Sequence, residues 1–166
     1  MNVLEYIARH EGLSLRPYKD TNGFWTIGRG HRYTADEMER DFLHDQKMGI
    51  TVLWADKLLE QDINAATAEC KKLFPEFFEY SENRRAALID VMFNMGARTI
   101  RKGFPSFVAA VRRRDWQRAA DELKYTDGLK KGKLTKYWME LHGDPDGTDD
   151  KKKERPEENY RMLVEG

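Results

Sequence analysis

The sequence predicts a mainly helical α+β fold in two lobes, with a small antiparallel sheet near the N-terminus and a long helix joining the sheet to a helical lobe. Three observations carry this reading. Residues 16–33 contain Pro17 and an Asn22-Gly23 pair set among aromatic and β-branched residues, which is a strong hairpin signal. A helical pattern of over twenty residues then runs from Thr51 to Phe74 and stops at Pro75. After Pro75, the apolar residues recur at helical spacing.

In chain order, residues 2–11 read as a short helix with Val3, Leu4, Ile7 and Ala8 on one face. An isolated hairpin is marginal in water, so the sheet at 16–33 needs a support. A second helix over 35–45 is the expected one, opened by a capping box of Thr34 and Glu37. Gly49 breaks that pattern, and Thr51 is the N-cap of the long helix. Residues 83–95 are apolar nearly all round, which places this helix at the centre of the second lobe, capped by Gly96. Three stripes follow: Phe104, Phe107, Val108 and Val111; Trp116, Ala119, Ala120 and Leu123, with Asp115 as N-cap; and Leu134, Tyr137, Trp138 and Leu141. Residues 143–153 are a turn-rich, charged insertion too polar to pack, and a last short helix is expected from Pro156 to Val164.

Composition narrows the function. The chain has 166 residues, 40% hydrophobic, and its 29 basic residues balance its 29 acidic ones. A net charge of zero exerts no general pull on nucleic acid or an anionic surface. Arg112-Arg113-Arg114 and Lys130-Lys131 are therefore read as solvated helix ends, not as a nucleic-acid patch. No apolar run approaches a membrane span, so no stable membrane insertion is expected. The N-terminus lacks the basic and apolar regions of a signal peptide. The single cysteine, Cys70, lies on the apolar stripe of Leu59, Ile63, Ala66 and Leu73, and reads as a buried, inert thiol. The four histidines share no metal-ligand spacing, and in the Asp-rich loop at 144–150 the Gly sits too early for an EF-hand and no Glu holds the closing position, so no metal is expected.

Glu11, Asp20 and Thr26 carry the chemistry. Glu11 closes the first helix and is followed by Gly12, the residue type found just past helix C-termini. The partial negative charge of a helix C-terminus disfavours a second negative charge and so favours the proton that a general acid must hold. Asp20 precedes the hairpin turn, where water and backbone amides keep a carboxylate ionised. Two carboxyls set apart in this way are the equipment of glycosidic bond cleavage. Thr26, on the returning strand, offers a hydroxyl that both donates and accepts, suited to holding a water. The alternative is two solvated surface carboxylates.

The string Glu11-Gly12, Tyr18-Lys19-Asp20, Gly23, Thr26-Ile27-Gly28 and Gly30-His31 resembles the signature of phage lysozymes of the T-even type, glycoside hydrolase family 24. Weaker similarity continues through Gln61-Asp62-Ile63-Asn64-Ala65-Ala66, Arg84-Arg85-Ala86-Ala87-Leu88, Phe93-Asn94-Met95-Gly96, Gly103-Phe104 and Trp116. The resemblance implies a single lysozyme domain over 1–166, with a sheet lobe at about 12–58, a helical lobe of 1–11 plus 59–166, and a cleft between them. It also implies inverting hydrolysis of the β-1,4 bond between N-acetylmuramic acid and N-acetylglucosamine, without a cofactor. In that scheme Glu11 is the acid, Asp20 stabilises the oxocarbenium-like state or activates water, and Thr26 positions the water. Gly30, Arg32, Phe93 and Phe107 match positions lining the sugar cleft, with Arg32 and Phe107 departing in residue type. The expected partner is the peptidoglycan strand, met by a monomer that stays in the host cytoplasm until a separate holin-like pore releases it for lysis. Three alternatives stay open: a transglycosylase, a non-catalytic peptidoglycan-binding protein, and a helical interaction protein such as a lysis regulator or phage structural part.

Two further positions have open roles. His31 is one candidate partner for Asp62, as a pair linking the sheet to the long helix, against two solvated residues. Arg155 is the nearest match to a family arginine that approaches the acid Glu, in a segment altered by Glu154 and Pro156.

Overall fold

The computed structural model of the protein describes residues 2–126, 133–142 and 150–166. Helix α1 is Val3–His10, with Tyr6, Ile7 and His10 buried. Strands β1 (Ser14–Lys19), β2 (Trp25–Gly28) and β3 (His31–Arg32) form one antiparallel sheet in that order. The register pairs Tyr18 with Thr26 and Lys19 with Trp25, then Thr26 with Arg32 and Ile27 with His31. Pairing is irregular between Ser14 and Tyr18, the stretch that contains Pro17, which has no N–H to give to a ladder. The predicted hairpin turn is present. Asp20 N–H donates to the Phe24 carbonyl at 2.9 Å, and Gly23 takes the positive φ of +83° that the turn requires.

The capping box of Thr34 and Glu37 opens α2, Ala35–Arg40. The single helix expected over 35–45 is instead two, because the backbone opens at Asp41 and α3 runs Phe42–Met48. The bend sets Phe42 edge-on to Trp25 and Tyr33, with ring centroids at 4.8 and 5.5 Å, so aromatic packing onto the sheet overrides the local pattern. The end of α3 is tied to β1. Arg16 donates to the carbonyls of Gln46 and Lys47, and Ile50 N–H donates to Leu15 O at 2.8 Å. Gly49 sits at φ +74°, where a Cβ would lie 2.8 Å from Leu15 O, so only glycine permits this approach.

Helix α4 is Val52–Leu73, started by Thr51, whose hydroxyl accepts from Trp54 N–H. Its residues fall in two compact units: a sheet unit, Leu4–Asn64, and a helical unit built on Ala65–Gly166. The sheet unit thus takes in most of α1 and reaches further along α4 than the 12–58 span expected from sequence.

In the helical unit, Ser81 caps α5, Glu82–Gly103, and the chain leaves helical geometry at Gly96 (φ 73°, ψ 152°). The predicted helix therefore ends where its glycine cap was expected, and a second helical stretch follows. Helices α6 (Pro105–Arg112), α7 (Trp116–Lys124, capped by Asp115) and α8 (Lys136–His142) match the three stripes. Leu134 falls outside α8, half-exposed, and pairs with Tyr125 in an isolated bridge. Cys70 is fully buried, and its thiol donates to Leu88 O at 3.4 Å. Arg112 donates to the Leu73 carbonyl at the end of α4, and Arg114 pairs with Glu76 and Glu79, so these two arginines of the basic run serve the fold. Lys130-Lys131 and the loop 143–149 lie outside the described residues.

The last helix is longer than expected. Helix α9 spans Asp150–Glu165 with Pro156 inside it, so it begins within the charged run. Polarity keeps a run out of a core, but it does not prevent a helical turn whose backbone bonds are internal. Further along α9, Arg155 and Asn159 are 4% and 1% exposed and converge on Asp90 of α5, which is 0% exposed. Arg155 Nε lies 3.1 Å from both Asp90 oxygens, and Nη2 is 2.6 Å from Oδ1. Asn159 Nδ2 donates to Asp90 Oδ2 and contacts the Tyr137 hydroxyl at 3.1 Å. A buried pair stabilises little beyond an apolar equivalent, but removing one charge from it is costly. Asp90→Asn should therefore lower unfolding stability by about 3 kcal/mol or more in urea titration. A loss below about 1 kcal/mol would equate the pair with a surface salt bridge.

Candidate active site

Glu11 follows α1 directly, and its N–H still donates to Ile7 O at 3.1 Å, so the last helical turn holds its backbone. Its carboxylate faces the β2–β3 turn: a Cβ built on Gly30 would lie 3.4 Å from Glu11 Oε2. Gly30 has φ +90°, so a side chain there would strain the backbone and would stand in contact with the carboxylate. The turn is itself held against α4. Arg29 Nε donates to Asp56 Oδ1 at 2.7 Å, and Gly28 leaves 3.2 Å between its would-be Cβ and that of Ala55.

Asp20 sits at the hairpin turn. Its Oδ1 accepts from the N–H groups of Asn22 and Phe24, each at 2.9 Å, and its Oδ2 lies 2.7 Å from Arg32 Nη2. Desolvation raises the pKa of this carboxyl, but the two amides and the Arg32 charge outweigh it and hold it below the ordinary carboxylate value. Thr26 is 2% exposed and donates its hydroxyl to Phe24 O at 3.1 Å, which leaves its oxygen lone pairs as acceptors. Tyr18, Thr26 and Arg32 are cross-strand neighbours and share one sheet face. Burial raises the Tyr18 pKa, and the charges of Glu11 and Asp20 raise it further, so this phenol stands in the field of both carboxyls. All of these residues belong to the sheet unit. The arrangement supplies a carboxyl beside a glycine turn, a second carboxyl kept ionised, and a hydroxyl oriented by its own donation.

Residues 8–136 match the family described as Phage lysozyme. The chain belongs to that family. It is 28% identical over 140 residues to probable T4-type lysozyme 1 of Dictyostelium discoideum, and 30% identical over 140 residues to probable T4-type lysozyme 2; each alignment covers 74% of this chain and 82% of the relative. It is also 29% identical over 136 residues to the pre-baseplate central spike protein Gp5 of Enterobacteria phage T4, covering 72% of this chain and 23% of that protein. The mainly helical α+β lysozyme fold expected from the signature is the one observed.

The other expected residues are placed as follows. Gly30 faces Glu11, and Arg32 faces Asp20. Phe93 is half-buried on α5. Phe107 is 1% exposed, with its ring edge-on to Phe74, which makes it a core residue of the helical unit and leaves it no face for a sugar. The nitrogens Nε and Nη2 of Arg155 lie on Asp90. Among the described residues, no group of three or more His, Cys, Asp or Glu side chains is arranged to hold a metal, and no helix is long and apolar enough to cross a membrane. Sequence reasoning placed Tyr18 within the signature string but not beside the carboxyls, and it did not foresee the Arg29–Asp56 contact, which nothing local marks.

His31 does pair with Asp62. Its Nδ1 lies 2.9 and 3.1 Å from the two Asp62 oxygens, and its Nε2 lies 3.3 Å from each oxygen of Glu37. Burial disfavours the imidazolium, but the two carboxylates outweigh it and raise the His31 pKa. The stabilisation is whole below the ordinary His value of about 6.5 and is lost as pH rises through the raised folded value. Thermal unfolding at about pH 5.5 should separate wild type from Asp62→Asn by about 2 kcal/mol, and the gap should shrink at about pH 9. An equal gap at both values would remove His31 protonation from the account.

Proposed function

We propose that this chain is a muramidase of the endolysin type, cutting the β-1,4 bond between N-acetylmuramic acid and N-acetylglucosamine in peptidoglycan. The supporting observation is the placement of Glu11 against Gly30, with Asp20 held ionised and Thr26 oriented in the same unit. Membership of the phage lysozyme family and the lysozyme names of its relatives support glycosidase chemistry.

In this reading Glu11 gives its proton to the glycosidic oxygen as the bond to the anomeric carbon breaks. The Asp20 carboxylate offsets the positive charge that develops on the sugar ring. A water that donates one hydrogen to Thr26 Oγ1 has its lone pair directed at the anomeric carbon. It adds there as its second proton passes to solvent, and Glu11 takes a proton back from solvent, so the net reaction consumes one water per bond cut. The enzyme acts on the wall after leaving the host cytoplasm through a separate pore, and it works as a monomer.

The test is turbidity loss of outer-membrane-stripped Gram-negative cells, with product masses from purified peptidoglycan. Wild type should clear the suspension and leave a reducing N-acetylmuramic acid end. Glu11→Gln should be slower by about a thousandfold with unchanged unfolding, and Thr26→Ala should lose less. Clearing by Glu11→Gln at the wild-type rate would overturn the acid role. A folded wild type that binds peptidoglycan without cutting it would mark a non-catalytic binding protein, and an anhydro product would mark a transglycosylase.

A further inference from the structure

We infer that Arg32 is the positioning residue of Asp20: from the end of β3 its guanidinium pins one carboxylate oxygen while the hairpin amides pin the other, so the carboxylate meets substrate in a single orientation. The inference rests on the muramidase reading and extends it.

The grip has three parts. Asn22 and Phe24 N–H groups hold Oδ1, and Arg32 Nη2 holds Oδ2 at 2.7 Å. The Arg32 guanidinium also lies over the Phe24 ring, 4.8 Å from its centroid. Phe24 therefore acts twice, once through its amide on Asp20 and once through its ring under the cation that faces Asp20. The register places Arg32 opposite Thr26, so one strand pair carries both the residue that orients the water and the residue that orients the carboxylate.

Folding stability accounts for only part of this pair. The Arg32 side chain is 53% exposed, and exposed ion pairs contribute little to folding. Orientation accounts for it better, because a carboxylate gripped at both oxygens cannot rotate. Donors on both oxygens also make Asp20 a weak proton acceptor, which suits a charge that stabilises the transition state more than a general base. The other groups in the same field are the Tyr18 hydroxyl on β1 and the Glu11 carboxyl at the end of α1.

The experiment compares wild type, Arg32→Ala and Arg32→Lys. Carboxyl 13C NMR follows the Asp20 titration, and soluble uncrosslinked glycan strands give kcat and KM across pH. Arg32→Ala should move the Asp20 midpoint and the acid limb of kcat/KM upward together. It should lower kcat about tenfold while KM stays within about twofold. Arg32→Lys should restore the midpoint, because the charge returns, but only part of kcat, because an ammonium lacks the planar fork. An Asp20 midpoint unmoved by Arg32→Ala overturns the inference. So does a loss confined to KM, the mark of a substrate contact. If wild type cuts no glycan, the muramidase reading fails, and the catalytic half of the inference fails with it. The NMR titration then judges the Arg32–Asp20 coupling alone.

Discussion

A carboxylate with no exposure to water has to be surrounded by donors, and Asp90 takes its own from α9, far along the chain. Arg155 and Asn159 come from α9, and the Tyr137 hydroxyl of α8 meets Asn159. Apolar contact has no direction, so apolar stripes alone would let α9 turn or slide over α5. The guanidinium–carboxylate pair fixes both its rotation and its position. The other end of α9 is held to α5 by Arg84, which donates to the carbonyls of Leu163 and Val164.

The sheet unit solves a different problem. A three-stranded sheet this short cannot hold its side chains in place unless it is fastened to helices. Four polar side chains of the sheet region reach helices: Arg16 the end of α3, Arg29 Asp56, His31 Asp62, and Tyr33 Asp45. Gly28, Gly30 and Gly49 allow the close approaches that these fastenings need. The carboxyls of Glu11 and Asp20 are therefore presented from a small but braced scaffold.

Legibility in the sequence followed the range of the interaction. Local signals were read well. The Asn22-Gly23 turn, the capping box at Thr34, the caps at Thr51 and Asp115, and the Gly96 break all depend on residues a few positions apart. Glu11, Asp20 and Thr26 could be singled out as candidates because they lie within one short span of recognisable residue types. Long-range effects were not legible. The bend at Asp41 comes from Phe42 reaching Trp25 and Tyr33, and the buried site of Asp90 depends on residues more than sixty positions away. Helical spacing put Phe107 on an apolar stripe and the resemblance alone put it by the cleft; its burial against Phe74 comes from long-range packing that the sequence does not display.

Cys70 gives the helical unit a built-in gauge of its own opening. Burial pushes this thiol up to about 12, and it makes its hydrogen bond inside the core. A thiol reagent can reach it only when the packing around it comes apart, so its labelling rate measures that opening free energy in native solvent. The chain has one cysteine, so this signal arises from the helical half of α4, separately from the sheet unit that carries Glu11, Asp20 and Thr26.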